Sequence, residues 1–155
     1  MTALVSNNAI SDENTHHPQV DGDVIMFDGH CNLCNSWVQW VLKRDKKGRY
    51  KFASLQSEIG QKLIIDSGRD PDSFDSVVLW RNNHIWIKSE AALRIASGLG
   101  GIYKLVMIFM AVPGIVRNAV YDWIARNRYR WFGRSEECLL PKPEWRNRFL
   151  DNSDT

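Results

Sequence analysis

An eight-residue stretch, Phe27-Asp28-Gly29-His30-Cys31-Asn32-Leu33-Cys34, constrains this chain more than any other. In front of it stands Val24-Ile25-Met26-Phe27, a continuous apolar run of the kind that forms a strand buried on both faces. Behind it, Trp37, Val38, Val41 and Leu42 fall on one stripe of a helix. The chain therefore leaves a buried strand at Phe27, turns through Asp28-Gly29 and begins a helix near Cys31. Two thiols three positions apart at a helix start lie on one face, close enough to join in a disulfide. Unpaired N–H groups and the positive end of the helix dipole favour a thiolate on the first of them. A sulfur so placed is the better nucleophile and leaving group in thiol–disulfide exchange.

Strand, turn, Cys-x-x-Cys and helix together make a thioredoxin-like redox motif, a far more specific signal than two spaced cysteines alone. Cys31 comes first, at the helix start, and is expected to be the more exposed and the attacking sulfur. Cys34, one turn in, is then the resolving cysteine that closes the disulfide and releases the partner.

The rest of the chain supplies a matching frame. Residues 1–22 are polar and without periodicity, and read as a disordered tail that carries His16 and His17. Lys43, Arg44, Lys46 and Lys47 end the first helix with the charge that suits a helix C-terminus, and Gly48 follows as a cap. Arg49–Ser54 reads as a second strand, and Ser57-Glu58 opens a helix through Ile59, Leu63 and Ile64 that stops near Gly68. Ser76–Trp80 and His84–Lys88 form a hairpin about Arg81-Asn82-Asn83. Ser89 is placed to cap a helix over 90–97. Beyond the glycines at 98, 100 and 101, Tyr103–Met110 reads as an apolar helix. Ile115–Asn127 follows as a long helix burying Val116, Ala119, Val120, Trp123 and Ile124. The order β-α-β-α-β-β-α predicts an α/β thioredoxin/glutaredoxin-like fold: a mixed four-stranded sheet with flanking helices and a C-terminal helical extension. One domain would span 23–150, its core at about 23–97 and its extension at about 102–150.

The string Asp28-Gly29-His30-Cys31-Asn32-Leu33-Cys34 resembles the signature of the DCC family of thiol–disulfide oxidoreductases, named for Asp-x-x-Cys-x-x-Cys. Three later strings resemble that family too: 51–56 (Lys51 to Gln56), 75–79 with 89–93, and 121–133 (Tyr121 to Gly133). The likeness runs from about Val24 to Leu150. It implies disulfide exchange through a mixed disulfide, and it adds Asp28 to Cys31 and Cys34 as a site residue. Gly29 and His30 stand beside them as auxiliary positions.

Asp28 could accept a proton from Cys34 or anchor the loop, or simply form an Asx turn with Gly29. A carboxylate beside a thiol raises the thiol pKa, which argues against Asp28 as the activator of Cys31. His30 as a cation would favour the thiolate, or it is an ordinary loop residue. Cys138 is a possible third redox thiol or a structural one. A rival reading makes Cys31, Cys34, Cys138 and either His30 or His84 a zinc site, but the chain has no second Cys-x-x-Cys and no histidine pair at ligand spacing to complete it. Thioredoxin-like enzymes place a cis-proline opposite the Cys-x-x-Cys; here that place falls at Phe74-Asp75-Ser76-Val77, without proline.

Charge is uneven. Residues 1–114 carry 12 Lys/Arg against 12 Asp/Glu, and 115–150 carry 8 against 4, so the C-terminal third is the basic part. Within it, 126–134 alternates arginines with aromatics. Such a pattern serves nucleic acid by phosphate contact and base stacking, or a membrane surface as an amphipathic element. The packing alternative, favoured here, turns the aromatics inward under arginine stems.

Three cysteines, two of them in one motif, are not a secreted disulfide framework. The first 23 residues lack the basic and apolar regions of a signal peptide, and the longest apolar run, Leu105–Val116, is interrupted by Pro113 and Gly114. A cytoplasmic protein without a transmembrane segment is expected. It would need no bound cofactor and no metal, exchanging electrons with a protein or small-molecule thiol/disulfide partner, and no nucleic acid is expected to bind.

Overall fold

The computed structural model describes residues 20–134 and 142–150. Cys138, His16 and His17 therefore lie outside the described residues. The central strand is β1 (Asp23–Phe27), every residue of which is buried. It runs parallel to β2 (Tyr50–Ser54) and antiparallel to β3 (Val78–Arg81), which in turn pairs antiparallel with β4 (His84–Ile87). The sheet order is β2-β1-β3-β4. This is the expected mixed four-stranded sheet.

Alternation along β1 divides the core in two. Ile25 and Phe27 face the layer of α1 (Asn32–Arg44) and α3 (Lys88–Gly98), joining Val38, Val41, Phe52 and Ile95. Val24 and Met26 face the layer of α2 (Glu58–Asp66), joining Leu63, Ile64, Val78 and Trp80. Helices thus cover both faces, which is why β1 can be apolar at every inner position.

Local chemistry sets the boundaries. Ser57 caps α2 by accepting from the Gly60 N–H at 3.1 Å. Asp45, just past α1, accepts from the Arg49 and Tyr50 N–H groups and so launches β2. The hairpin turns on Asn82 and Asn83, both in the left-handed region at φ 49° and 60°, the pairing that a two-residue turn of matching twist requires.

The C-terminal part departs from expectation. Residues Gly101–Ala111 wind as a 3-10 helix rather than an α-helix, between Gly100 and Gly101 at positive φ and Pro113. Ser89 is not a cap: α3 begins at Lys88, and the Ser89 hydroxyl donates to Asn118 Oδ1 at 2.6 Å. Most unlike the reading from periodicity is α4 (Gly114–Phe132). Its apolar stripe of Val116, Val120, Trp123 and Ile124, with Ala119, is exposed. The helix docks through polar groups instead. Asn118 takes the Ser89 hydroxyl, Tyr121 takes the Val77 N–H, Asp122 pairs with Lys88 at 3.0 Å, and Arg128 is buried. A helix held by polar contacts has no reason to turn its apolar stripe inward.

The last described segment returns to the sheet. A 3-10 turn at Pro143–Arg148 delivers Phe149 onto Phe52, rings stacked at 5.5 Å, and brings Arg148 to the Asp45 carboxylate.

Candidate functional site

The site is built where β1 ends. The turn after Phe27 is closed by the Cys31 N–H donating to the Asp28 carbonyl at 3.2 Å, and an Asx turn within it joins the His30 N–H to Asp28 Oδ1 at 3.0 Å. Asn35 braces the turn from inside α1, its amide donating to the Gly29 carbonyl at 3.1 Å. Cys31 occupies the N-cap position of α1 and Cys34 lies one turn in, on the buried face. Both thiols are free. Cys31 has 0% of its surface exposed and Cys34 7%, so the expectation that Cys31 is the more exposed is wrong.

The cover comes from the end of α4. Asn32 donates its amide to the Phe132 carbonyl at 3.0 Å, and the Cys31 and Arg134 backbones form an antiparallel bridge. Gly133, at φ 78°, makes the bend that lets this strap cross the start of α1. No pattern of apolar residues announces a backbone strap, so the enclosure of Cys31 is not legible in the residues around it.

Asp28 is the hub beneath the thiols. Its Oδ1 receives the His30 N–H and the Gln56 amide at 3.2 Å; its Oδ2 receives the Tyr129 hydroxyl and Arg128 Nη2 at 3.4 Å. Burial pushes this carboxyl up, yet the hydrogen bonds from Tyr129 and His30, the Arg128 charge and Gln56 outweigh it and hold the group below the ordinary carboxylate range. Four donors use the acceptor capacity of an ionised carboxylate. The Asx turn is thus formed, and the same carboxylate also joins the turn to Gln56 and to α4. His30 is half-buried, its backbone engaged by Asp28.

The Cys34 thiol is pushed up to about 12, first by burial, then by the neighbouring Cys31 sulfur and the hydrogen bond between them; Arg128 opposes and Asp28 adds slightly. Cys34 therefore keeps its proton at neutral pH. Arg128 is the cation of the site: burial opposes its charge, while the neighbouring Tyr129 hydroxyl and the cysteine sulfurs favour it and leave its pKa raised. Its Nε is buried and makes no hydrogen bond among the described residues. Beside Cys34 opens an apolar cavity of about 150 Å³, walled by Leu33, Trp37, Val77, Tyr121 and Arg128.

Val77, in the proline-free stretch Phe74–Val77, lines the cavity beside Cys34, and its N–H is taken by the Tyr121 hydroxyl at 3.3 Å. That hydroxyl is pushed up by burial. His84 is at the far hairpin, its ring 4.4 Å from that of Trp86. Among the described residues no three His, Cys, Asp or Glu side chains gather as metal ligands would. Gln56, Tyr121, Arg128 and Tyr129 were not singled out as site residues, although each falls inside or at the end of a string that carried the family resemblance.

A mixed four-stranded sheet flanked by helices, with a Cys-x-x-Cys at the start of α1, is the architecture of the thioredoxin-like class. Comparison narrows it. Residues 25–134 match the family of DCC1-like thiol-disulfide oxidoreductases, and the chain belongs to that family. It is 48% identical over 132 residues to the uncharacterized protein YuxK of Bacillus subtilis (strain 168), covering 85% of this chain and 96% of that one. It is 43% identical over 118 residues to a chloroplastic DCC family protein of Arabidopsis thaliana, covering 76% of this chain and 69% of that one. No solved structure matches.

Proposed function

We propose that this chain exchanges disulfides through Cys31 and Cys34. The observation that supports the reading is the pair at the start of α1: two free thiols, Cys31 at the N-cap and Cys34 one turn in, with Cys34 and the buried Arg128 lining one cavity and the Cys34 thiol pushed up to about 12 by burial and by Cys31. Cys31, as thiolate, attacks one sulfur of a partner disulfide; a mixed disulfide forms and the other partner sulfur leaves as a thiolate. Cys34 gives up its proton, which that leaving thiolate accepts, and attacks the Cys31 sulfur. The partner is released as a dithiol or two thiols, and a Cys31–Cys34 disulfide remains, two electrons having passed to the partner. The reverse sequence oxidises a partner instead. No bound cofactor enters either direction.

Asp28 acts here as an anchor and not as a proton acceptor, because donors already fill its oxygens. Gly29 gives the turn and His30 its N–H. A reducing compartment such as the cytoplasm keeps both thiols in the free state. The cavity beside Cys34 suits a small or side-chain thiol reaching the pair from that side.

The test is equilibration in glutathione redox buffers, read by thiol trapping and mass spectrometry. Wild type should show one reversible two-electron transition. Cys34→Ser should accumulate a mixed disulfide with glutathione, and Cys31→Ser should not. A mixed disulfide on Cys31→Ser alone would reverse the two roles, and thiols that never oxidise would end the oxidoreductase reading.

A further inference from the structure

The C-terminal extension carries an exposed apolar surface that the exchange reaction does not use. On Gly101–Ala111, Ile102, Leu105, Ile108 and Phe109 are exposed, Ile108 at 69%. On α4, Val116, Val120, Trp123 and Trp131 are exposed, Trp123 at 55%. At 100° per residue these four fall on one side of α4, opposite the side that docks through Asn118, Tyr121, Ala125 and Arg128. Trp123 and Trp131 touch edge to face at 5.0 Å, so two indoles stand together on the outer side.

The charge around this surface has one sign. Residues 101–134 hold six Lys/Arg and a single acid, Asp122, which is paired with Lys88. Of the six, Lys104, Arg126, Arg130 and Arg134 are exposed. On the wheel of α4, Arg126 and Arg130 lie together along one edge of the apolar stripe.

We propose that this surface docks on an anionic lipid bilayer, lying in the interface without crossing it. Apolar side chains would enter the acyl boundary, the indoles would sit at headgroup level, and the adjoining cations would meet acidic headgroups. Crossing is not part of the proposal. No single helix among the described residues is long and apolar enough to span a bilayer, and the two segments meet at 113°. A second copy of the chain is the poorer occupant, because self-pairing would set the cationic rims against each other. Nucleic acid would use the arginines but leave the isoleucines, leucines and valines in water.

The experiment is vesicle flotation of the full chain with phosphatidylcholine alone and with added phosphatidylglycerol, with tryptophan emission recorded alongside. Partitioning should require the anionic lipid, weaken with salt and shift the emission to the blue. The double variant Val120→Glu/Trp123→Glu should lose about tenfold or more of the partitioning. Lys104→Gln, Arg126→Gln and Arg130→Gln should each lose roughly fivefold. All five positions are exposed and away from the thiols, so the glutathione transition should be unchanged and serves as the folding control. Three outcomes would overturn the proposal. They are no flotation with either lipid, flotation that ignores lipid charge or the glutamates, and a vesicle-free dimer that the same glutamates dissociate.

Discussion

Arg128 and Asp28, a hundred residues apart, form an ion pair with both side chains 7% exposed, 3.4 Å from Nη2 to Oδ2, beneath the two thiols. The pair ties α4 to the turn that presents Cys31, so the extension is part of the site and not an appendage to it. Breaking a buried pair by removing one partner leaves an uncompensated charge and costs about 3–5 kcal/mol. Arg128→Leu should therefore destabilise by an amount in that range in urea unfolding and slow exchange by withdrawing the cation beside the thiols. Tyr129→Phe, which keeps the pair and removes one hydrogen bond, should cost about 1–3 kcal/mol. Equal losses in the two variants would mean that the pair itself contributes little.

The same carboxylate predicts a response to acid. Asp28 titrates below its ordinary value of 3.8 in the folded protein and near it when unfolded. Its stabilisation is then fully present above that value and is lost as pH falls through the lower folded value. Asp23, also held low against burial by Arg81 and Arg49, loses its contribution in the same region. The difference between wild type and Asp28→Asn isolates the first. That difference should shrink as pH is lowered from 5 towards about 2, and parallel curves would refute the assignment.

Alkali tests the other end of the site. Reduced Cys34 has a folded pKa of about 12 against an ordinary 9.0. The unfolded chain thus releases the proton first, and stability is present below about 9 and declines as pH rises towards about 12. Tyr50, pushed up to about 12 by burial, adds a decline of its own in wild type and variant alike. Cys34→Ser should lack the cysteine share, and so should wild type once oxidised to the disulfide. If reduced and oxidised proteins lose stability with the same alkaline slope, the Cys34 proton is not held as described.

How far the sequence could be read follows from which forces leave a pattern. β1, β2 and the Asn82-Asn83 hairpin were legible because burial and left-handed turns select residue types at fixed spacing. So was α1, whose stripe of Val38, Val41 and Leu42 is buried as its period requires. The orientation of α4 was not legible, because Asn118, Tyr121, Asp122 and Arg128 hold it through polar contacts that have no periodicity, while its apolar residues do. The two cysteines and Asp28 were visible as a motif. The donors that fill Asp28 were not, since Gln56, Arg128 and Tyr129 meet it only through the fold. Enclosure of Cys31 depends on the backbones of Phe132 and Arg134, which no side-chain pattern encodes.

That enclosure makes a last prediction. Cys31 is fully buried, so from the side of α4 its sulfur meets a partner when the strap parts from α1. The exposed hydrogen bond from Asn32 to the Phe132 carbonyl is one of the contacts that hold the strap down. A bond of this kind contributes about 0.5–1.5 kcal/mol net, equivalent to a ~2–10-fold change in the population of the open form. Asn32→Ala should therefore speed iodoacetamide alkylation of reduced Cys31 by a factor in that range. The midpoint of global unfolding should move little, because the bond lies at the surface. An unchanged alkylation rate would mean that Cys31 becomes accessible by a motion other than the parting of this strap, with the cavity beside Cys34 as the remaining route to the pair.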